Sequence, residues 1–326
     1  MNNSKKNIYI AGHTGLVGGA ILRYLSKYSD DKILFKTHKE LDLTIQESLR
    51  KFFKENKIDQ VYFAAGKVGG IGANSTYPAD FIYQNLAMGI NVVNCCFEFG
   101  VKKLLFFGTS CIYPKNIPQP IKEEYLLTSE LEQTNEPYAI AKIAGIKMCE
   151  NYYRQYGCNF ISAMPTNLYG PGDNFDLNNS HVIPALLRKF HEAKINNSPS
   201  VEVWGTGTPK REFLYVDDLA DACILLLKNL EASELEKNGI THINVGSGID
   251  QTIRELATTI RDVVGFNGQI IFDKTKPDGT QEKLLDITRL SKMGWKPTRP
   301  LQNGLEKTYM WIKEQVKIKQ SQAAAI

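Results

Sequence analysis

Tyr138 and Lys142 are the residues of this 326-residue chain whose types and spacing most directly suggest chemistry. They bracket Tyr138-Ala139-Ile140-Ala141-Lys142, a spacing that puts both side chains on one face if the stretch is helical. A phenol titrates near ~10, too high for a proton carrier at neutral pH. An ammonium one turn away is expected to favour the phenolate and lower that value. The pair could then hand a proton to a forming alkoxide or take one back. The competing reading is a surface tyrosine over a solvated lysine.

The chain before the pair is the kind of scaffold such chemistry needs. Residues 7–11 read as a buried strand running into Gly12-His13-Thr14-Gly15-Leu16-Val17-Gly18. Apolar residues then recur at helical spacing through Leu16, Val17, Ala20, Ile21 and Leu25. Strand, glycine loop and helix are the setting of a dinucleotide site: glycines let the backbone approach a pyrophosphate, and the helix N-terminus supplies N–H groups. A tight turn would explain the glycines alone. The second strand, residues 32–35, ends in Lys36-Thr37-His38-Lys39, where cations suit a 2′-phosphate and so favour NADP; the alternative is a basic surface loop.

Further along, residues 45–54 read as an amphipathic helix and 60–65 as a strand entering Gly66-Lys67-Val68-Gly69-Gly70. A long helix over 80–99 contains Asn85 and Asn91. Strand 103–107 ends in Gly108-Thr109-Ser110-Cys111-Ile112-Tyr113-Pro114. Ligands of doubly wound sheets sit at the carboxyl ends of strands, so Thr109, Ser110 and Cys111 are expected beside the cofactor. The helix of Tyr138 and Lys142 comes next, then a strand over 159–164 and the run Pro165-Thr166-Asn167-Leu168-Tyr169-Gly170-Pro171-Gly172.

This alternation implies an α/β fold: a Rossmann-type doubly wound parallel sheet. Past Gly170 the alternation loosens, and a smaller C-terminal α/β substrate domain is expected. The division is 1–170 plus about 215–250 for the NADP-binding domain, and 171–214 plus 251–326 for the other. Residues 217–227 and the strand 241–245 are read as returning to the first domain. Residues 321–326 read as a frayed end.

Net charge is +4 with acids and bases interspersed, and no basic stripe interleaves with aromatics, so nucleic acid is not an expected partner. No apolar run is long enough to span a bilayer. Met1-Asn2-Asn3-Ser4-Lys5-Lys6 lacks the apolar core of a signal peptide. The six cysteines Cys95, Cys96, Cys111, Cys149, Cys158 and Cys223 show no zinc spacing, and reduced thiols in a cytoplasm are expected.

The chain resembles the GDP-L-fucose synthase family of extended short-chain dehydrogenase/reductases over residues 7–314. The resemblance is carried by Lys67-Val68-Gly69-Gly70-Ile71, Tyr77-Pro78-Ala79-Asp80-Phe81-Ile82-Tyr83-Gln84-Asn85, Cys111-Ile112-Tyr113-Pro114, Pro137-Tyr138-Ala139-Ile140-Ala141-Lys142, Asn179-Ser180-His181-Val182-Ile183-Pro184-Ala185-Leu186-Leu187-Arg188 and Lys276-Pro277-Asp278-Gly279-Thr280. It implies NADPH-dependent reduction of a GDP-4-keto-6-deoxy sugar at C4, after epimerisation at C3 and C5 in the same site. The family's hydroxyl–tyrosine–lysine triad falls on Thr109, Tyr138 and Lys142, and its epimerase base and acid on Cys111 and His181. Its cofactor contacts fall on Gly12, Thr14, Gly15, Leu16, Val17, Gly18, Lys36, His38, Ala65, Gly66, Phe107, Gly108, Lys142, Pro165, Asn167, Leu168 and His181. Its substrate contacts fall on Lys67, Ser110, Asn167, Lys189, Trp204, Arg211 and Asp278. No metal is implied.

The sequence departs from the family where serine usually stands at Thr109, arginine at Thr14 and near His38, and often arginine at Lys189. Threonine preserves the hydroxyl, the lost arginines weaken the NADP argument, and lysine does not replace arginine on a phosphate. A reductase-only enzyme on a related GDP-4-keto sugar, such as a heptose or 6-deoxyheptose, is the alternative. A non-catalytic cofactor sensor on the same fold is a remote third, since such sensors typically lose the Tyr–Lys pair. The resemblance also implies a homodimer through the helices at 80–99 and 138–153.

Overall fold

Buried strands and amphipathic helices alternate through the first half of the chain, as the sequence leads one to expect. The computed structural model describes residues 5–177, 179–276 and 278–324; residues 1–4, at the start of the stretch searched for a signal peptide, and Pro277 of the 276–280 motif lie outside them. The strands are β1 (Asn7–Ala11), β2 (Lys32–Leu34), β3 (Gln60–Phe63), β4 (Lys103–Phe107), β5 (Phe160–Pro165), β6 (Asn167–Tyr169), β7 (Ser200–Trp204), β8 (Lys210–Tyr215), β9 (Ile243–Val245), β10 (Asp250–Thr252) and β11 (Gln269–Asp273). The helices are α1 (Leu16–Tyr28), α2 (Gln46–Asn56), α3 (Ile71–Thr76), α4 (Pro78–Glu98), α5 (Glu136–Tyr156), α6 (Val182–Ile195), α7 (Val216–Asn229), α8 (Ala232–Lys237), α9 (Ile253–Val264), α10 (Thr288–Lys292) and α11 (Leu301–Ala324).

A six-stranded parallel sheet in the order β2-β1-β3-β4-β5-β9 forms the centre. Strands buried on both faces read as unbroken apolar runs, as Ile8 to Ala11 and Leu104 to Phe107 do. One face packs Ile8, Ile10, Leu105 and Ile161 against Ala20, Ile21 and Leu25 of α1 and Leu219, Cys223 and Leu226 of α7. The other packs Tyr9, Val61, Leu104 and Phe160 against Leu49 and Phe53 of α2, Val92 and Cys96 of α4, and Ile146 and Cys149 of α5. The sheet order reverses between β1 and β3, which opens a crevice at the carboxyl ends of those strands.

The later chain adds a three-stranded sheet, β10-β8-β6, and the parallel pair β11-β7. A third apolar cluster lies there, joining Leu187 and Phe190 of α6, Val203 of β7, Leu256 and Ile260 of α9, and Leu305 of α11.

Several elements differ from the sequence reading. Residues 167–169, given no element in the run after the strand 159–164, form β6 and pair in parallel with β8. Residues 71–76, given no element, form α3. The long helix starts at Pro78, whose missing N–H costs nothing in a first helical turn. Residues 321–324, expected to fray, continue α11, and 325–326 lie outside the described residues.

Candidate active site

The loop after β1 has the shape a pyrophosphate requires. Gly12 has φ +88°, and a Cβ there would lie 2.7 Å from the Ala65 nitrogen at the end of β3. A Cβ on Gly18 would lie 2.2 Å from the Gly12 carbonyl oxygen, so α1 and the loop approach as only glycine permits. Gly15 caps α1 without a side-chain hydrogen bond, and the first turn carries no acid. The helix N-terminus therefore presents its N–H groups and positive dipole end to an anion. These residues fit a dinucleotide. Thr14 is exposed beside them, while Leu16 and Val17 begin the helix.

At the end of β2 the cations are partly engaged. Lys36 pairs with Glu40 at 3.1 Å, and Glu40 also accepts from the Thr37 N–H and hydroxyl. Those hydrogen bonds, led by the Thr37 N–H, pull the Glu40 carboxyl down to about 2. His38 lies 3.9 Å from Asp42. A 2′-phosphate would find Lys39 exposed and Lys36 already facing a carboxylate.

Lys142 is buried to 6% exposure, and its Nζ donates to the Phe107 carbonyl at 3.0 Å. Burial drops its pKa to about 8. A Cβ on Gly66 would lie 3.4 Å from Nζ, so the loop after β3 meets the lysine directly. Asn85 of α4 holds that loop: its Oδ1 accepts from the Lys67 N–H and its Nδ2 donates to the Lys67 carbonyl, both at 3.0 Å. On the next strand a Cβ on Gly108 would lie 2.2 Å from Met164 Sδ.

Tyr138 corrects the sequence expectation. Its pKa is raised, by burial first and then by the neighbouring charge of Cys111. The ammonium of Lys142 lies 5.8 Å from the centre of the tyrosine ring and is turned onto the Phe107 carbonyl. Four-residue spacing brings the pair together, but desolvation dominates over the charge. The ring is wedged edge-on against Phe81, with centroids 6.2 Å apart.

Thr109 caps the short 3-10 turn Ser110–Ile112, its Oγ accepting from the Cys111 N–H at 3.4 Å. Its hydroxyl hydrogen remains available as a donor. Cys111 lies on this turn, and Lys283 approaches its sulfur to 3.9 Å. Ser110, expected against substrate, is the first residue of that turn and is 4% exposed.

His181 caps α6 without a side-chain hydrogen bond. The loop before it lies against the Lys67-Val68-Gly69-Gly70 loop through Gly70 N–H to the Asn179 carbonyl at 3.4 Å. The imidazole keeps solvent access, yet protein crowds it on its other sides and that desolvation lowers its pKa. A smaller share is therefore protonated at pH 7, and the protonated form is the stronger acid. In the same loop Asp173 has an Oδ2 that is buried without a partner, and burial pushes its carboxyl up to about 7.

The expected substrate residues gather beyond the cleft. Trp204 is 62% exposed at the end of β7, with Lys189 and Lys276 each 5.5 Å from its ring. Lys189 Nζ also donates to the Glu202 carbonyl at 3.1 Å. Burial lowers the pKa of Arg211, opposed by the charge of Asp278. Asp278 accepts from the Thr206 N–H and hydroxyl at 2.7 Å, which ties the 278–280 segment to the turn after β7. Asn167 donates to the Glu212 carbonyl at 2.9 Å, next to Pro165 and Leu168. Lys67 stands apart, ion-paired with Asp80 at 2.9 Å. Sequence reasoning missed Lys283, which lies far from Cys111 in the chain, and gave Asn85 no role.

A model of the NAD dependent epimerase/dehydratase family matches residues 8–246. The GDP-L-fucose synthase of Escherichia coli (strain K12) is 56% identical over 313 residues, which is 95% of this chain and 98% of that protein. The chain belongs to the GDP-L-fucose synthase family. Among solved structures similar to this family member is a GDP-6-OMe-4-keto-L-xylo-heptose reductase from Campylobacter jejuni, 40% identical with a TM-score of 0.91 over 95% of this chain and 98% of that one. Another is a GDP-D-glycero-L-gluco-heptose synthase from the same organism, in the presence of NADPH, 40% identical with a TM-score of 0.89 over 96% and 100%. The central sheet with its crevice is thus the Rossmann-type fold of GDP-L-fucose synthase-type proteins.

Proposed function

We propose that this protein is an NADPH-dependent enzyme that epimerises a GDP-4-keto-6-deoxy sugar at C3 and C5 and reduces it at C4. The observation that carries the reading is the meeting of Cys111, Tyr138 and Lys142 beside a glycine cradle suited to a dinucleotide. When bound, NADPH supplies the hydride that C4 accepts.

Each side chain then has a task. The Thr109 hydroxyl donates to the C4 oxygen, and Tyr138 gives its proton as that oxygen becomes an alkoxide. A raised tyrosine pKa suits this role, because the phenol stays protonated until a strong base forms beside it. Lys142 offers its remaining N–H groups to the cofactor ribose while Phe107 holds it in place. For epimerisation, the Cys111 thiolate takes a proton from a carbon next to the ketone. The C–H electrons pass into an enolate whose oxygen rests on Thr109 and Tyr138. Protonated His181 returns a proton to the opposite face.

We read the later lobe as the sugar-nucleotide unit, with the Trp204 ring stacking on the guanine and Lys189 and Arg211 facing the diphosphate. The reading extends to a homodimer and a cytoplasmic location. Tyr83, Ile90 and Phe97 recur every seven residues on α4, exposed, with Ile140 and Tyr156 exposed on α5, a stripe that supports self-pairing. A monomer by sedimentation at micromolar concentration would refute the dimer. All six cysteines are free, which fits a reducing compartment.

The heptose enzymes among the structural neighbours favour one second reading, reduction alone on a GDP-4-keto-heptose. Turnover in heavy water separates the two. Deuterium at C3 and C5 of the product supports epimerisation, and its loss in Cys111→Ser and His181→Gln supports their roles. Product with no deuterium at either carbon leaves reduction alone.

A further inference from the structure

We infer that Lys283 is the charge partner of Cys111, holding the sulfur as the thiolate that acts as base; this rests on the epimerase reading above. Its Nζ lies 3.9 Å from Cys111 Sγ, within sulfur hydrogen-bond range. Among the described residues no carboxylate is within ion-pair distance of Lys283, although Glu132 and Glu282 line the same cavity, and the sulfur is the partner its Nζ meets. Both line one cavity, together with Asn135, Glu132 and Lys115. The Asn135 Oδ1 there is buried and unpartnered.

The three residues after the lysine hold it in place. Leu284 N–H donates to Gln119 Oε1 at 2.8 Å, and Leu285 N–H donates to Glu212 Oε2 at 3.0 Å. Asp286 N–H donates to the Ile121 carbonyl at 2.8 Å, and Ile121 N–H donates to the Leu284 carbonyl at 2.7 Å. Glu212 is wholly buried and also accepts from the Gly248 N–H at 2.7 Å. A backbone clamped on three successive residues fixes where the lysine side chain starts, which leaves its own rotamers to be ordered when the ammonium meets the sulfur. An unclamped surface lysine near a cysteine would not suggest a role.

The thiolate, not the thiol, is the form that takes a proton, and an adjacent ammonium favours it. In the step, the substrate C–H bond breaks, an S–H bond forms, and the electron pair goes to the enolate. Lys283 keeps its proton throughout. Its charge supports the sulfur before the transfer and is not needed for hydride delivery, which the Thr109–Tyr138–Lys142 set serves.

The test compares wild type with Lys283→Met and Lys283→Arg. The rate of iodoacetamide labelling at the Cys111 peptide, by mass spectrometry at one pH, reads the thiolate directly. Labelling and deuterium entry at C3 and C5 are both expected to fall by ~10-fold or more in Lys283→Met, the least that one opposite charge gives. Lys283→Arg, which keeps the charge, should restore most of both. Reduction of an already epimerised 4-keto sugar should stay near wild type in all three, which also reports an intact fold. Equal labelling in Lys283→Met and wild type would overturn the inference, as would an equal fall in reduction. Slower labelling with no deuterium entry even in wild type would keep the Lys283–Cys111 pair and remove the epimerase reading instead.

Discussion

Asp173 offers a perturbation whose size can be worked from the structure. Its carboxyl is partly shielded from solvent, Oδ1 accepts from the Asn174 N–H at 2.7 Å, and Oδ2 is buried without a partner. Burial raises the folded pKa to about 7 from an ordinary 3.8. The sign comes from proton counting. Between these values the folded state keeps a proton that the unfolded state has lost, so stability falls as pH rises through this window and levels off above about 7. Between pH 5 and pH 8 the linkage amounts to about 3 kcal/mol, and solvent screening of a partly exposed group brings it nearer 2. Asp173→Asn removes the ionisation and keeps the shape, although its amide N–H groups also lack an acceptor. The informative quantity is therefore the double difference. Urea midpoints of wild type and variant, each at pH 5 and pH 8, should show the variant gaining about 2–3 kcal/mol on wild type across that interval. Parallel pH dependences would refute the reasoning, and would mean that Oδ2 finds a solvent or side-chain partner in solution.

Three further outcomes are expected. Tyr138→Phe should cut reduction by ~100- to 10,000-fold while leaving cofactor affinity nearly unchanged; near-normal turnover would mean that another group donates the proton. Burial puts the Lys142 pKa at about 8, so the ammonium is charged below that value and neutral above it, and cofactor affinity measured by fluorescence titration should decline as pH passes 8; a flat profile to pH 10 would show that the charge is not used. Gly145→Ala would place a Cβ 2.1 Å from the Phe106 ring, where α5 meets β4. Overpacking of this kind costs about 1–3 kcal/mol and should appear as a lower thermal midpoint, with an unchanged midpoint counting against a rigid Phe106.

The strand–helix alternation was legible because buried parallel strands write themselves as apolar runs, as in Leu104 to Phe107. The glycine loop was legible for a similar reason: Gly12 and Gly18 stand where a Cβ collides with backbone. Other features left no local mark. β6 is three residues long and exists because β8, more than forty residues later, pairs with it. The Tyr138 expectation failed in sign because spacing along a helix reports proximity, whereas desolvation depends on everything packed around it, Phe81 included. Lys67 sat in a motif but its partner Asp80 lies on another element. Lys283 comes soon after the Lys276 to Thr280 motif, and only folding brings it to Cys111.

A single residue, Thr166, separates β5 in the central sheet from β6 in the smaller one. Its N–H donates to the Val245 carbonyl, and its hydroxyl, like the Asn167 amide, reaches the Glu212 carbonyl. The two sheets thus share one taut path, with no slack chain at the junction to act as a hinge. Swinging them apart would break strand pairings on both sides. Traffic of a bulky sugar nucleotide in and out of the cleft therefore cannot rely on a hinge between β5 and β6.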